Sequence, residues 1–79
     1  MKNIVVSYGI EGVFEEEMET SLNENNTIDK VMEICFEDFL QTLDSYGGLY
    51  GLPYEEDFET YEEYTQEAES WFDFDWKEI

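Results

Sequence analysis

The sequence predicts an α+β domain: a small antiparallel sheet with two helices packed on one face, in the order β-β-α-α-β. Three features carry that prediction. A β-branched run near the start is punctuated by glycines, a central segment carries an unbroken helical apolar stripe, and the last residues alternate apolar with acidic.

Residues 3–8 contain Ile4, Val5 and Val6, then Tyr8, and are followed by Gly9 and Gly12; they read as a strand and a turn. Residues 13–20 read as the second strand of a hairpin, set between those glycines and polar Ser21–Asn26. The three consecutive glutamates Glu15–Glu17 also suit a helix. In the next segment Ile28, Val31, Met32, Cys35, Phe36, Phe39, Leu40 and Leu43 recur at steps of three and one, the signature of one helical face. Asn26 or Thr27 supplies its N-cap, Asp29 suits its first turn, and Gly47-Gly48 end it. Residues 45–53 form a connecting loop apolar enough to pack over the core.

A second helix is expected from about residue 54 to 70. On a helical wheel Tyr54, Phe58, Tyr61, Thr65, Ala68 and Phe72 share one face, with Tyr64 and Trp71 beside it. Glu55, Glu56, Glu59, Glu62, Glu63 and Glu67 fall opposite. Thr60 with Glu63 matches a capping box and offers an alternative start. Residues 71–79 then alternate, which places Phe72, Phe74 and Trp76 on one side of a strand and Asp73 and Asp75 on the other.

Composition bounds what this fold is for. The chain has 79 residues, enough for one domain spanning 1–79, with 22 Asp and Glu against three lysines and a formal net charge of −19. Chains this acidic are often disordered, but this one is 42% hydrophobic and 18% aromatic, enough to build a core. Cys35 has no partner for an internal disulfide. Met1–Tyr8 is too short and polar for a signal peptide or a membrane span, so a cytoplasmic protein is expected. Anionic membranes and nucleic acid would both repel the chain, leaving a basic protein surface as its partner.

Catalysis is not expected. Histidine is absent, and with it the commonest general base and the usual activator of a Ser or Cys nucleophile. Cys35 sits on the apolar stripe, where a thiol stays protonated and inert. The Gly9/Gly12 and Gly47/Gly48 pairs lack the Lys and Ser/Thr of a phosphate loop. Asp73, Asp75 and Glu55–Asp57 offer hard oxygen ligands, but none follows the spaced pattern of a calcium loop, and no metal or other cofactor is expected.

The acidic surface itself is the candidate site. A charge run is ordinarily just a solvated face. Here, however, like charges at i, i+4 (Glu55/Glu59, Glu59/Glu63, Glu63/Glu67) would each cost a helix about 0.2–0.5 kcal/mol. Solubility alone would be met by a mixed-sign surface with a net charge of about 2–8. On a helix, i, i+4 carboxylates lie about 6 Å apart, close to the spacing of successive phosphates on a nucleic-acid strand. The expected partner-binding residues are Glu55, Glu56, Glu59, Glu62, Glu63, Glu67, Asp73 and Asp75, with Tyr64 and Trp71 as aromatic anchors for arginine. Should the helix not carry the row, Asp73, Asp75 and the Glu15–Glu17 run are next.

In size, charge and carboxylate-studded helices the chain resembles the DNA-mimic inhibitors of phages and mobile elements, among them acidic anti-CRISPR proteins, antirestriction proteins and uracil-DNA glycosylase inhibitors. The resemblance is of overall character, without a diagnostic motif. It implies a non-enzymatic protein that blocks the nucleic-acid cleft of a CRISPR effector or a restriction or repair enzyme in the host cytoplasm, with anti-CRISPR first and antirestriction second. An acidic adaptor that regulates a basic partner without blocking nucleic acid is the alternative, and a small divalent-metal-binding protein the third reading.

Overall fold

The computed structural model describes residues 2–79. Strand β1 (Lys2–Ile10) pairs antiparallel with β2 (Phe14–Leu22) through a short loop in which Gly12 has φ 81° and the Val13 amide donates to the Ile10 carbonyl at 3.0 Å. Helix α1 (Ile28–Tyr46) and helix α2 (Tyr61–Trp71) follow, and β3 (Asp73–Glu78) returns antiparallel on the free side of β1. The sheet order is therefore β2-β1-β3, and the element order is the β-β-α-α-β expected. Residues 13–20 fall on the hairpin reading: Glu15–Glu17 are held in the strand by pairing with β1.

Side-chain alternation on β1 divides the sheet into two faces. Ile4, Val6, Tyr8 and Ile10 point to the helices and are buried with Val31, Cys35, Phe39, Leu40 and Leu43 of α1 and Tyr64 and Ala68 of α2. Phe39 is the hub, its ring 4.9 Å from that of Phe72, 5.6 Å from Phe14 and 5.9 Å from Phe36. Thr27 caps α1 by accepting from the Lys30 amide, and Gly47 ends it in the left-handed conformation (φ 60°). Met32 departs from the expected stripe and is exposed, because it lies at the margin of the apolar arc. In the connecting loop Leu52 is buried as expected, whereas Leu49 and Tyr50 face solvent.

The second helix is shorter than the expected 54–70. Glu55–Asp57 make only a 3-10 turn, Phe58 is extended, and α2 begins after Thr60. The capping box sets that start. The Thr60 hydroxyl oxygen accepts from the Glu63 amide at 3.2 Å, and Thr60 takes the extended conformation of a cap (φ −129°, ψ 155°), so the helix does not extend backward. The burial phase moves with it. The inward face is Tyr64 and Ala68, an i, i+4 pair, while Tyr61, which shares the expected aromatic face of the helical wheel, is 57% exposed. Trp76 is likewise exposed: it shares the inner side of the sheet with Val6, but on an edge strand beyond the helical cover.

Among the described residues, no helix is long and apolar enough to cross a membrane.

Candidate functional site

The face of the sheet turned away from the helices is open, and the register sets what it displays. Gly9 of β1 lies between Glu15 of β2 and Asp73 of β3; Ser7 lies between Glu17 and Asp75; Val5 lies between Glu19 and Lys77. Each outer residue of these rows points to the same face as its β1 partner, because paired residues share a side of the pleat. Two lines of carboxylates thus flank a floor of small residues, forming an open depression of about 820 Å³ that Glu11 also lines.

Strand geometry fixes the spacing. Along β2 or β3 successive same-face residues lie about 6.8 Å apart, and the two lines, separated by β1, are about 9.6 Å apart. The first spacing is close to that of phosphates along a strand. The second falls between the widths of the minor and major grooves, about 6 and 12 Å. The floor must be small for the depression to exist. Gly9 has φ 142°, and a Cβ there would collide with the Phe14 carbonyl oxygen of β2, so the backbone itself excludes a side chain.

The patch is polarised. Glu11, Glu15, Glu17, Asp73 and Asp75 cluster at the hairpin end, and Lys77 with Val5 begins the neutral end. All five carboxylates are exposed, and none has a basic partner among the described residues. Among the described residues the one ion pair joins Lys2 to Glu78 at 3.0 Å, near the opposite end of β1.

The expected site residues are dispersed by comparison. Asp73 and Asp75 sit in the patch. Glu55 and Glu56 lie on the 3-10 turn, and Glu59 precedes the cap, so the expected Glu55–Glu59–Glu63 helical row does not exist. Glu62, Glu63 and Glu67 are exposed on α2, where Glu63 and Glu67 retain the i, i+4 relation. Trp71 is partly exposed, its indole N–H donating to Glu67 at 3.4 Å. Tyr64 is a correction: at 2% exposure it is among the largest fully buried side chains and cannot anchor a partner by its ring face. Two features escaped the sequence reading. One is the placement of Glu15 opposite Asp73 and of Glu17 opposite Asp75 across β1, which the register alone decides. The other is the exposed i, i+4 row Asp29, Glu33 and Glu37, which was legible on the polar side of the α1 stripe.

Behind the patch, Tyr8 ties the sheet to α1. Its hydroxyl donates to Asp38 at 2.8 Å, with Glu16 at 3.2 Å as a second acceptor. Burial and these two carboxylates push the Tyr8 phenol well above the ordinary tyrosine range. Burial, together with Asp44 and Glu55, pushes Tyr64 up to about 12. Burial, then Asp38, also raises the Cys35 thiol, as expected of an inert core cysteine. These shifts have one sign. A raised pKa means that the folded state holds its proton more tightly than the unfolded chain. The associated stability is complete below the unfolded values, about 8.5 for Cys and 10 for Tyr, and is lost as pH rises through the folded ones. The melting temperature should therefore fall progressively above about pH 9, and Tyr64→Phe should flatten part of that fall. An unchanged melting temperature up to pH 12 would contradict the burial of these phenols.

No group of three or more Cys, Asp or Glu side chains among the described residues is arranged to hold a metal ion. What the face offers is fixed negative charge at strand spacing. Comparison with family models, with curated proteins and with solved structures found no match.

Proposed function

We propose that the protein is a non-enzymatic inhibitor that presents its open sheet face in place of a phosphate backbone to the basic cleft of a nucleic-acid-binding protein. One observation carries this reading. Two parallel lines of exposed carboxylates, Glu15 with Glu17 and Asp73 with Asp75, flank a floor kept small by Ser7 and Gly9. A merely solvated face needs neither the lines nor the bare floor. Lysines and arginines built to track phosphates would meet charges at similar intervals, and long-range attraction would speed encounter. Following the resemblance in charge and size, the proposed targets are a CRISPR effector first and a restriction enzyme second, in the cytoplasm of a bacterial host.

Competition tests the proposal. The protein, immobilised at low salt, captures its partner from a bacterial lysate. The purified partner is then titrated with its own nucleic acid in the presence of the inhibitor. Mutual exclusion is expected, with affinity falling steeply as salt rises. A stable ternary complex of protein, partner and nucleic acid would instead assign the chain to the adaptor class.

A further inference from the structure

A second recessed surface lies on the helical side of the molecule. It is a groove of about 340 Å³ between α1 and the segment running from the 3-10 turn at Glu55–Asp57 into α2, and no sheet residue lines it. On α1, Glu37, Leu40, Gln41 and Asp44 occupy positions i, i+3, i+4 and i+7, one face of the helix. The two carboxylates are therefore about 10.5 Å apart along the axis, with the leucine and the amide between them. Opposite stand Glu55 and the exposed ring of Tyr61, which is 5.9 Å from the Tyr64 ring at 53°.

Tyr64 also lines the groove. Tyr64 is almost wholly buried, yet its hydroxyl has only the Leu40 carbonyl as acceptor, at 3.5 Å. That is well beyond the 2.5–3.0 Å of an ordinary O–H···O bond, and the carbonyl also belongs to the α1 ladder. The phenol keeps that one acceptor, and it lines a groove whose other polar groups are chiefly anionic. The ligand that satisfies carboxylates on both walls, lies flat against an aromatic ring and tolerates an apolar floor is a planar cation with several donors. A lysine ammonium satisfies the charge but not the stacking. A second copy of this chain is repelled, since each copy carries −19 and has no arginine.

We propose that the groove between α1 and the start of α2 is a socket for an arginine side chain of the protein's basic partner, with Tyr61 as the stacking wall and Asp44 and Glu55 as the charge partners. The socket is an anchor separate from the sheet face, and it rests on the proposed function only in taking the partner to be a basic protein.

The test uses the full chain, isotopically labelled, and titrates it with N-acetyl-arginine methylamide and, separately, N-acetyl-lysine methylamide at moderate salt, reading amide NMR shifts. Saturable shifts are expected at Leu40, Gln41, Asp44, Glu55 and Tyr61, with arginine about threefold tighter than lysine. Tyr61→Leu, a change at an exposed position, should weaken arginine severalfold and erase its advantage over lysine, and Asp44→Asn with Glu55→Gln should abolish saturation. Shifts spread evenly over every acidic surface, equal affinity for the two cations, or indifference to Tyr61→Leu would each overturn the socket. The competition assay reads a different event. A groove that ignores arginine in a protein that still displaces nucleic acid overturns the socket alone, and the reverse result overturns the phosphate-mimic reading alone.

Discussion

Replacing Phe39 by alanine is expected to unfold most of the protein at room temperature. The side chain is fully buried and its ring meets those of Phe14, Phe36 and Phe72, which come from β2, α1 and the residue that leads into β3. Truncation of such a phenylalanine costs about 3–5 kcal/mol. At about 0.05–0.15 kcal/mol per residue a chain of this length has about 4–12 kcal/mol in total, and self-repulsion among its carboxylates draws that toward the lower end. Urea or thermal unfolding followed by circular dichroism measures the loss. Met32→Ala, an exposed position on the same helix, is the control and should stay within about 0.5 kcal/mol. Equal losses at the two positions would mean that α1 does not pack by the face described. Added salt should partly rescue the Phe39 variant, since it screens the repulsion without touching the cavity.

The second large effect concerns binding. Changing Glu15 and Glu17 to Gln and Asp73 and Asp75 to Asn removes both lines of charge while conserving side-chain size. Affinity for the captured partner should fall at least about a hundredfold, equivalent to about 2.8 kcal/mol. The association rate should drop, and the salt dependence should flatten by about one unit of slope for each charge that met a cation. The melting temperature should rise in the same variant, because crowded like charges have been removed from the strands. The matching change on α2, Glu62, Glu63 and Glu67 to Gln, should leave affinity within a few-fold. If the α2 variant loses binding and the sheet variant keeps it, the helix is the phosphate-like surface and the sheet face is a solvated one. Affinity falling while stability rises is a combination that loss of fold cannot produce, so the assay separates an interface role from a structural one.

Much of this architecture was legible in the chain. The stripe from Ile28 to Leu43 specified α1 because a helix must bury one face, and the residues at steps of three and four leave no other period. The glycines around Gly9–Gly12 and the alternation of Phe72–Trp76 specified the hairpin and β3 for the corresponding reason at period two. The absence of histidine and the excess of carboxylates pointed to electrostatic recognition, since charge is a property of composition and needs no coordinates. The start of α2 was also present in Thr60 and Glu63, beside an aromatic periodicity that runs on from Tyr54 and Phe58 and suits a longer helix. The hydrogen bond from the Glu63 amide to the Thr60 hydroxyl oxygen then fixed the phase, burying Tyr64 and exposing Tyr61.

What the tertiary structure alone decided is which carboxylates stand together. Glu15 and Asp73 are far apart in sequence and reach one surface only because β3 returns beside β1 rather than beside β2. A one-residue slip in either ladder would have turned that line of acids to the helix side, and register is set by the burial of Ile4, Val6, Tyr8 and Ile10 against the helices. Glu55, expected in a row with Glu59 and Glu63, was likewise brought to Asp44 by the turn that precedes α2. Net charge is additive along a chain and is read directly from it. The pattern of that charge depends on contacts between distant segments, and the packing of the core selects among the arrangements that the same local preferences allow.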